Sequence, residues 1–162
     1  MRPALVAAVL AALVAGCGSD SSEPAAPPPA THAAKPAKPP KRAKRTGTAI
    51  KLANSQYGKV LFDRRGQAIY LFAKEKSSTP RCYGDCAAAW PPVLTRGEPR
   101  ALGAIRQRLL GTTRRRDGKT QDTYNGHPLY YYAHEVRNEV RCHNITEFGG
   151  LWLALNRRGN AL

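Results

Sequence analysis

Residues 66–82 and 126–142 are two copies of one sequence, and a chain that holds a unit twice has the same apolar positions to bury twice. A shift of 60 residues lays Gly66-Gln-Ala-Ile-Tyr-Leu-Phe-Ala-Lys-Glu-Lys-Ser-Ser-Thr-Pro-Arg-Cys82 on Gly126-His-Pro-Leu-Tyr-Tyr-Tyr-Ala-His-Glu-Val-Arg-Asn-Glu-Val-Arg-Cys142. Six of 17 positions are identical: Gly66/Gly126, Tyr70/Tyr130, Ala73/Ala133, Glu75/Glu135, Arg81/Arg141 and Cys82/Cys142. Two copies are too few for a stacked solenoid, in which each unit is covered by a neighbour, so they are expected to share one core with pseudo-two-fold character.

The segments around the copies are short apolar runs bounded by turn residues, which predicts strands. Lys59–Asp63, the turn Arg64-Arg65-Gly66 and Gln67–Phe72 have the pattern of a hairpin. Gly111–Arg115 and Thr120–Tyr124 flank Asp117-Gly118 as a second, and Asn125-Gly126 turns the chain into Pro128–Tyr132. Leu151–Leu155 is the last predicted strand. Two short helices are expected: Asp85–Trp90, stopped by Pro91-Pro92, and Ala101–Leu110, where Leu102, Ile105 and Leu109 recur near helical spacing. The expected fold is therefore mainly β, a small antiparallel β-sandwich or barrel-like domain built from the two pseudo-repeats, with one or two short helices. A length of 162 residues suits one such domain and a tail.

The tail is N-terminal. Arg2, an apolar run from Ala4 to Ala15 and small residues before a cysteine have the order of a secretory signal, too short to span a bilayer. Val14-Ala15-Gly16-Cys17 has the form of a lipobox, with residues 1–16 as signal peptide and Cys17 as the lipidated first residue of the mature chain. Residues 17–47 carry no large apolar side chain and many Ala, Pro and Lys, the composition of a disordered tether, and the domain is expected over 48–162. The expected location is thus extracytoplasmic, with the domain lipid-anchored to a membrane. The net charge of +15 favours polyanionic partners, either anionic wall polymers or phospholipid. Nucleic acid is excluded as a partner by export and by the absence of an aromatic-basic recognition module. The oligomeric state is not readable from the sequence.

Six stretches carry a family resemblance: Tyr57-Gly58-Lys59-Val60-Leu61-Phe62, Ile69-Tyr70-Leu71-Phe72, Cys82-Tyr83-Gly84-Asp85-Cys86-Ala87 with Trp90-Pro91-Pro92, Asp117-Gly118, Thr123–Tyr130, and Phe148-Gly149-Gly150-Leu151-Trp152. Over about residues 57–156 the chain resembles the secreted-repeat lipoproteins, bacterial envelope proteins with a Tyr-x-aromatic-x-x-Asp motif. In this chain the motif reads Tyr70, Phe72, Glu75 in the first copy and Tyr130, Tyr132, Glu135 in the second, with Glu in place of Asp. The longer arm weakens any inference of a defined metal site. The resemblance implies an envelope location and leaves the activity open.

Residues two apart on a strand share a face, so Tyr70 with Phe72 and Tyr130 with Tyr132 are expected in the core, and Glu75 and Glu135 either cap loop amides or meet tyrosine hydroxyls. A tyrosine-lined ligand cleft is the alternative. Cys82, Cys86 and Cys142 cannot all pair within one chain. Cys82–Cys86 is favoured because proximity is assured and Gly84 can bend the loop, while a Cys82–Cys142 or Cys86–Cys142 bridge stays open. No nucleophile elbow or Ser/His/Asp grouping is present, so no catalytic residue is assigned and no enzymatic activity is expected. The leading expectation is a non-catalytic, cofactor-free envelope module with a basic surface for anionic polymers. The alternative is a thiol- or metal-linked redox protein that binds copper or zinc through Cys142 with His143, and His127 or His134. The anchoring expectation is tested by Cys17→Ser, which should release the protein from the membrane fraction or leave an uncleaved precursor. A fully processed variant retained in salt-washed membranes would refute lipidation at Cys17.

Overall fold

The computed structural model describes residues 46–162, so the signal peptide, Cys17 and the tether up to residue 45 lie outside the described residues. Among the described residues, the fold is mainly β, with three sheets of three strands and no closed barrel. In the first sheet β1 (Thr46–Ser55) pairs antiparallel with β2 (Gly58–Asp63) and parallel with β4 (Glu98–Ala101). In the second, β9 (Gly150–Ala154) lies between β3 (Tyr70–Phe72) and β8 (Ile145–Glu147). In the third, β6 (Thr120–Tyr124) lies between β5 (Leu110–Arg114) and β7 (His127–Pro128).

The hairpin across Asp117-Gly118 forms as expected, with Arg114 opposite Thr120 and Leu110 opposite Tyr124. The predicted pairing of Lys59–Asp63 with Gln67–Phe72 forms next to the turn and stops short of the full strand. The turn itself forms: Gly66 sits at φ +88°, and Asp63 Oδ1 accepts the N–H groups of Arg65 and Gln67 at 2.8 and 2.9 Å. Around the bridge of Phe62 to Ala68, Asp63 N–H donates to the Gln67 carbonyl at 2.9 Å and Ile69 N–H to the Leu61 carbonyl at 3.0 Å; the chain then crosses to β9 as β3, while β1 covers the other edge of β2 with a six-pair ladder. The helix expected over Ala101–Leu110 is also corrected, to a single 3-10 turn at Gln107–Leu109. Gly103 at φ +60° breaks the helical path. The Gln107 side chain replaces helical bonds by accepting from Ala101 N–H and donating to the Pro99 carbonyl. The other predicted helix is α1 (Asp85–Ala89).

The two copies meet in one core about a pseudo-two-fold. Tyr70 and Tyr130 exchange both backbone hydrogen bonds, N–H to carbonyl at 2.9 Å one way and 3.0 Å the other. The same duplication runs outward: Ala73 N–H donates to the Leu151 carbonyl, and Ala133 N–H to the Ala89 carbonyl. Trp90 and Trp152 are the paired centre, stacked at 4.0 Å with their planes 5° apart. Tyr70 meets Trp90 edge-on at 5.4 Å, and Tyr130 meets Trp152 edge-on at 5.2 Å. Rings so arranged bury large apolar area and satisfy the quadrupole preference for edge-to-face contact.

The duplication breaks at one buried place. Leu61 takes its N–H to the Leu155 carbonyl and receives Ile69 N–H; Asp122 takes its N–H to the Val93 carbonyl and receives Leu129 N–H. Asp122 thus holds the backbone position that an apolar leucine holds in the first copy, and both side chains are fully buried. Neither carboxyl oxygen of Asp122 has a hydrogen-bond partner. The nearby Thr48 and Thr95 hydroxyls donate instead to the carbonyls of Leu94 and Gly97. Burial is the main cause that pushes the Asp122 carboxyl up to about 7.

An acid whose pKa is raised by folding holds its proton in the native state while the unfolded chain has already lost it, so its contribution to stability falls as pH rises between the two values. Asp122→Asn should therefore gain stability relative to the native sequence as pH rises from about 4 to about 7, by up to about 4 kcal/mol. Urea unfolding of both proteins across that range checks it. A difference independent of pH would mean that Asp122 does not titrate on folding.

Candidate functional site

The motif tyrosines and glutamates exchange partners between the copies. Tyr130 Oη donates to Glu75 Oε1 at 2.7 Å, and Tyr70 Oη donates to Glu135 Oε2 at 2.7 Å. Each carboxylate also closes the loop of its own copy, accepting the N–H of Arg81 or of Arg141 at 2.5 Å. The glutamates therefore both cap loop amides and meet tyrosine hydroxyls, the two options open to them in the sequence. Tyr70, Phe72 and Tyr130 are buried, as is Glu75, while Tyr132 and Glu135 are partly so. Burial, reinforced by the facing carboxylates, raises the pKa of both tyrosine hydroxyls and keeps them as donors. Burial also raises Glu75 and Glu135 above the usual carboxylate range. The tyrosine hydroxyls and the glutamates are thus bonded to one another across the two copies.

Cys82 and Cys86 form a disulfide across Tyr83-Gly84-Asp85, with Gly84 at φ +57° giving the bend. Cys142 is a free, buried thiol, pushed up to about 11 by burial and by the charges of Glu135 and Glu147. This is the direction opposite to that of a reactive cysteine. The metal-ligand candidates are not gathered into a site. His143 Nδ1 accepts the Ala154 N–H at 3.2 Å, and the ring lies against Tyr57. His134 is exposed beside Tyr132, while burial and nearby Lys76 lower the pKa of His127. Among the described residues, no three of His, Cys, Asp and Glu come together in a set able to hold a metal ion.

The chain does form a basic cleft of about 660 Å³ elsewhere, between the disulfide loop and the turn end of the β5–β6 hairpin. Its cations are Lys74, Arg81, Arg114, Arg115 and Arg116, and no carboxylate lines it. Arg115 is 2% exposed and belongs to the frame: it donates to Gln121 Oε1 at 2.6 Å and to the Cys82 carbonyl at 2.8 Å, and pairs with Asp117 at 3.4 Å. These bonds pin the disulfide loop to the hairpin. Tyr83 stands between the two elements, with the guanidinium carbons of Arg115 and Arg116 at 4.3 and 3.9 Å from its ring centre. Its hydroxyl accepts the Arg116 N–H at 3.1 Å. Lys74, Arg81, Arg114 and Arg116 are exposed, which leaves four cations free to face a ligand.

The model of a family described as a secreted repeat of unknown function matches residues 51–94, the segment that contains the first copy through Trp90. Residues 51–94 are therefore similar to a secreted repeat. No curated protein and no solved structure matches the chain. The family of the secreted repeat implies export, the compartment in which the Cys82–Cys86 bridge persists. Among the described residues, no helix is long and apolar enough to cross a membrane.

The run Arg114-Arg115-Arg116 is visible in the sequence, but its neighbours Tyr83, Lys74 and Arg81 are not. The only signal available was the cysteine spacing that folds Tyr83 outward. For the tyrosine–glutamate pairs, Tyr130→Phe should lower the unfolding free energy by about 1–3 kcal/mol, because Glu75 is left buried and short of a donor. Tyr70→Phe should act in the same direction through Glu135. Chemical denaturation of both variants checks this, and a neutral outcome for both would show that the exchanged bonds carry no net stability.

Proposed function

We propose that this domain is a non-catalytic binding module of the cell envelope, tethered to the membrane through lipidated Cys17, and that its cleft takes an anionic wall polymer. The supporting observation is the cleft: four exposed cations on one concave surface, with no lining carboxylate to neutralise them. Arginine presents a planar fork that fits phosphate and carboxylate oxygens two at a time, and a concave basic wall concentrates the field that attracts a polyanion. The net charge of +15 supports the same reading at longer range. A binding role without catalysis is supported by the state of the reactive groups, since Glu75 and Glu135 are held by tyrosines and backbone amides and the Cys142 thiol is buried.

Inorganic polyphosphate serves as a probe for an anionic polymer. The Arg114→Ser/Arg116→Ser double variant should bind it about tenfold more weakly than the native chain, a loss of about 1.4 kcal/mol, with a shallower dependence on salt. Isothermal titration at two ionic strengths measures both. Unchanged affinity would place binding outside the cleft and overturn the proposal. Tighter binding to anionic phospholipid vesicles than to the polymer, lost in the same variant, would assign the cleft to lipid headgroups instead.

A further inference from the structure

The mouth of the cleft carries a side chain that charge recognition does not explain. Phe148 lines it and remains 43% exposed. It sits with Gly149 in the two-residue turn between β8 and β9, where Glu147 pairs with Gly150. Both turn residues have positive φ, Phe148 at +52° and Gly149 at +73°, as a type I′ turn demands. A bulky side chain is strained in that region, and Asn or Gly is the usual occupant. The chain itself supplies the comparison: the turn from β6 to β7 is Asn125-Gly126, at φ +50° and +80°. Among the described residues, no aromatic ring is paired with Phe148, in contrast to Phe72 in the same lining, which stacks on Trp152 at 4.2 Å. The strain is therefore not repaid by burial within the fold, and strain held at a cleft mouth points to a ligand.

We propose that Phe148 is a stacking platform and that the ligand of the cleft is an acidic glycan, a polymer whose sugar rings alternate with anionic groups. The inference rests on the binding reading above and specifies its ligand. A pyranose ring has an apolar face of C–H groups with partial positive charge, and this face complements the electron-rich face of an exposed phenyl ring. The anionic substituent of the same or the next sugar then meets the guanidinium of Arg114 or Arg116 in the same cleft. A bare polyphosphate satisfies the arginines but offers nothing to the ring. Bulk and flatness at position 148 are what Asn would lack, although Asn would suit the turn better.

The test uses the intact chain with two probes matched in charge, an oligogalacturonate and inorganic polyphosphate. Phe148→Asn should raise the melting temperature, because the turn relaxes, and weaken oligogalacturonate binding by about three- to tenfold, the range of one aromatic contact. Its affinity for polyphosphate should not change. Phe148→Leu keeps the strain and removes the flat face, so it should lose glycan affinity to the same extent with no gain in melting temperature. Glycan affinity unaffected by both substitutions, or both probes weakened equally, overturns the platform while leaving an anion-binding cleft. Absence of saturable binding for either probe overturns the binding reading and this inference together.

Discussion

Two tyrosine hydroxyls that reach across to the carboxylate of the other copy hold this fold in register. A strand pair three residues long has little ladder of its own, and β3 is that short. What fixes its position is the bridge between Tyr70 and Tyr130, bonded twice through backbone and twice more through Glu135 and Glu75. A one-residue slip would turn both tyrosines out of the core and leave two buried carboxylates short of a donor at once. The stacked Trp90 and Trp152 lie against those same tyrosines, so aromatic packing and polar registration reinforce each other.

The cleft depends on that frame at one remove. Its disulfide loop starts at Cys82, next to the Arg81 amide that Glu75 anchors, and the Arg115 guanidinium binds the Cys82 carbonyl. The central network thus sets the distance between the loop and the hairpin, and the exposed arginines inherit it. Buried Arg115 and exposed Arg116 show how neighbours in a charge run divide their work: one supports the wall, and the other faces solvent from it.

Much of this was legible in the chain. The hairpin of β5 and β6 followed from Asp117-Gly118 between alternating residues, and the self-similarity of residues 66–82 and 126–142 foretold one shared core. The favoured Cys82–Cys86 bridge forms, because four residues with a glycine among them leave little alternative. The failures share a cause, which is that local pattern does not name a distant partner. Lys59–Asp63 read as a strand, yet nothing local showed that β1 would pair along its whole length and Gln67–Phe72 only next to the turn. Leu102, Ile105 and Leu109 imitated a helix until Gly103 and the Gln107 side chain took the backbone elsewhere. The tyrosine–glutamate motif was visible, but its exchange between copies was not, since each copy contains both halves of the bond.

That exchange has a consequence for ancestry. When residue i of one unit meets residue j of another, and j meets i in return, the contact is isologous, the arrangement of a two-fold homodimer. A chain with a single copy would hold a tyrosine and a glutamate that do not satisfy each other, and would complete both bonds only against a second molecule. Fusing two such units in tandem makes the association independent of concentration and frees each half to diverge. The divergence is already written in the interior, where Asp122 occupies the backbone position of Leu61 and only the first half carries a disulfide.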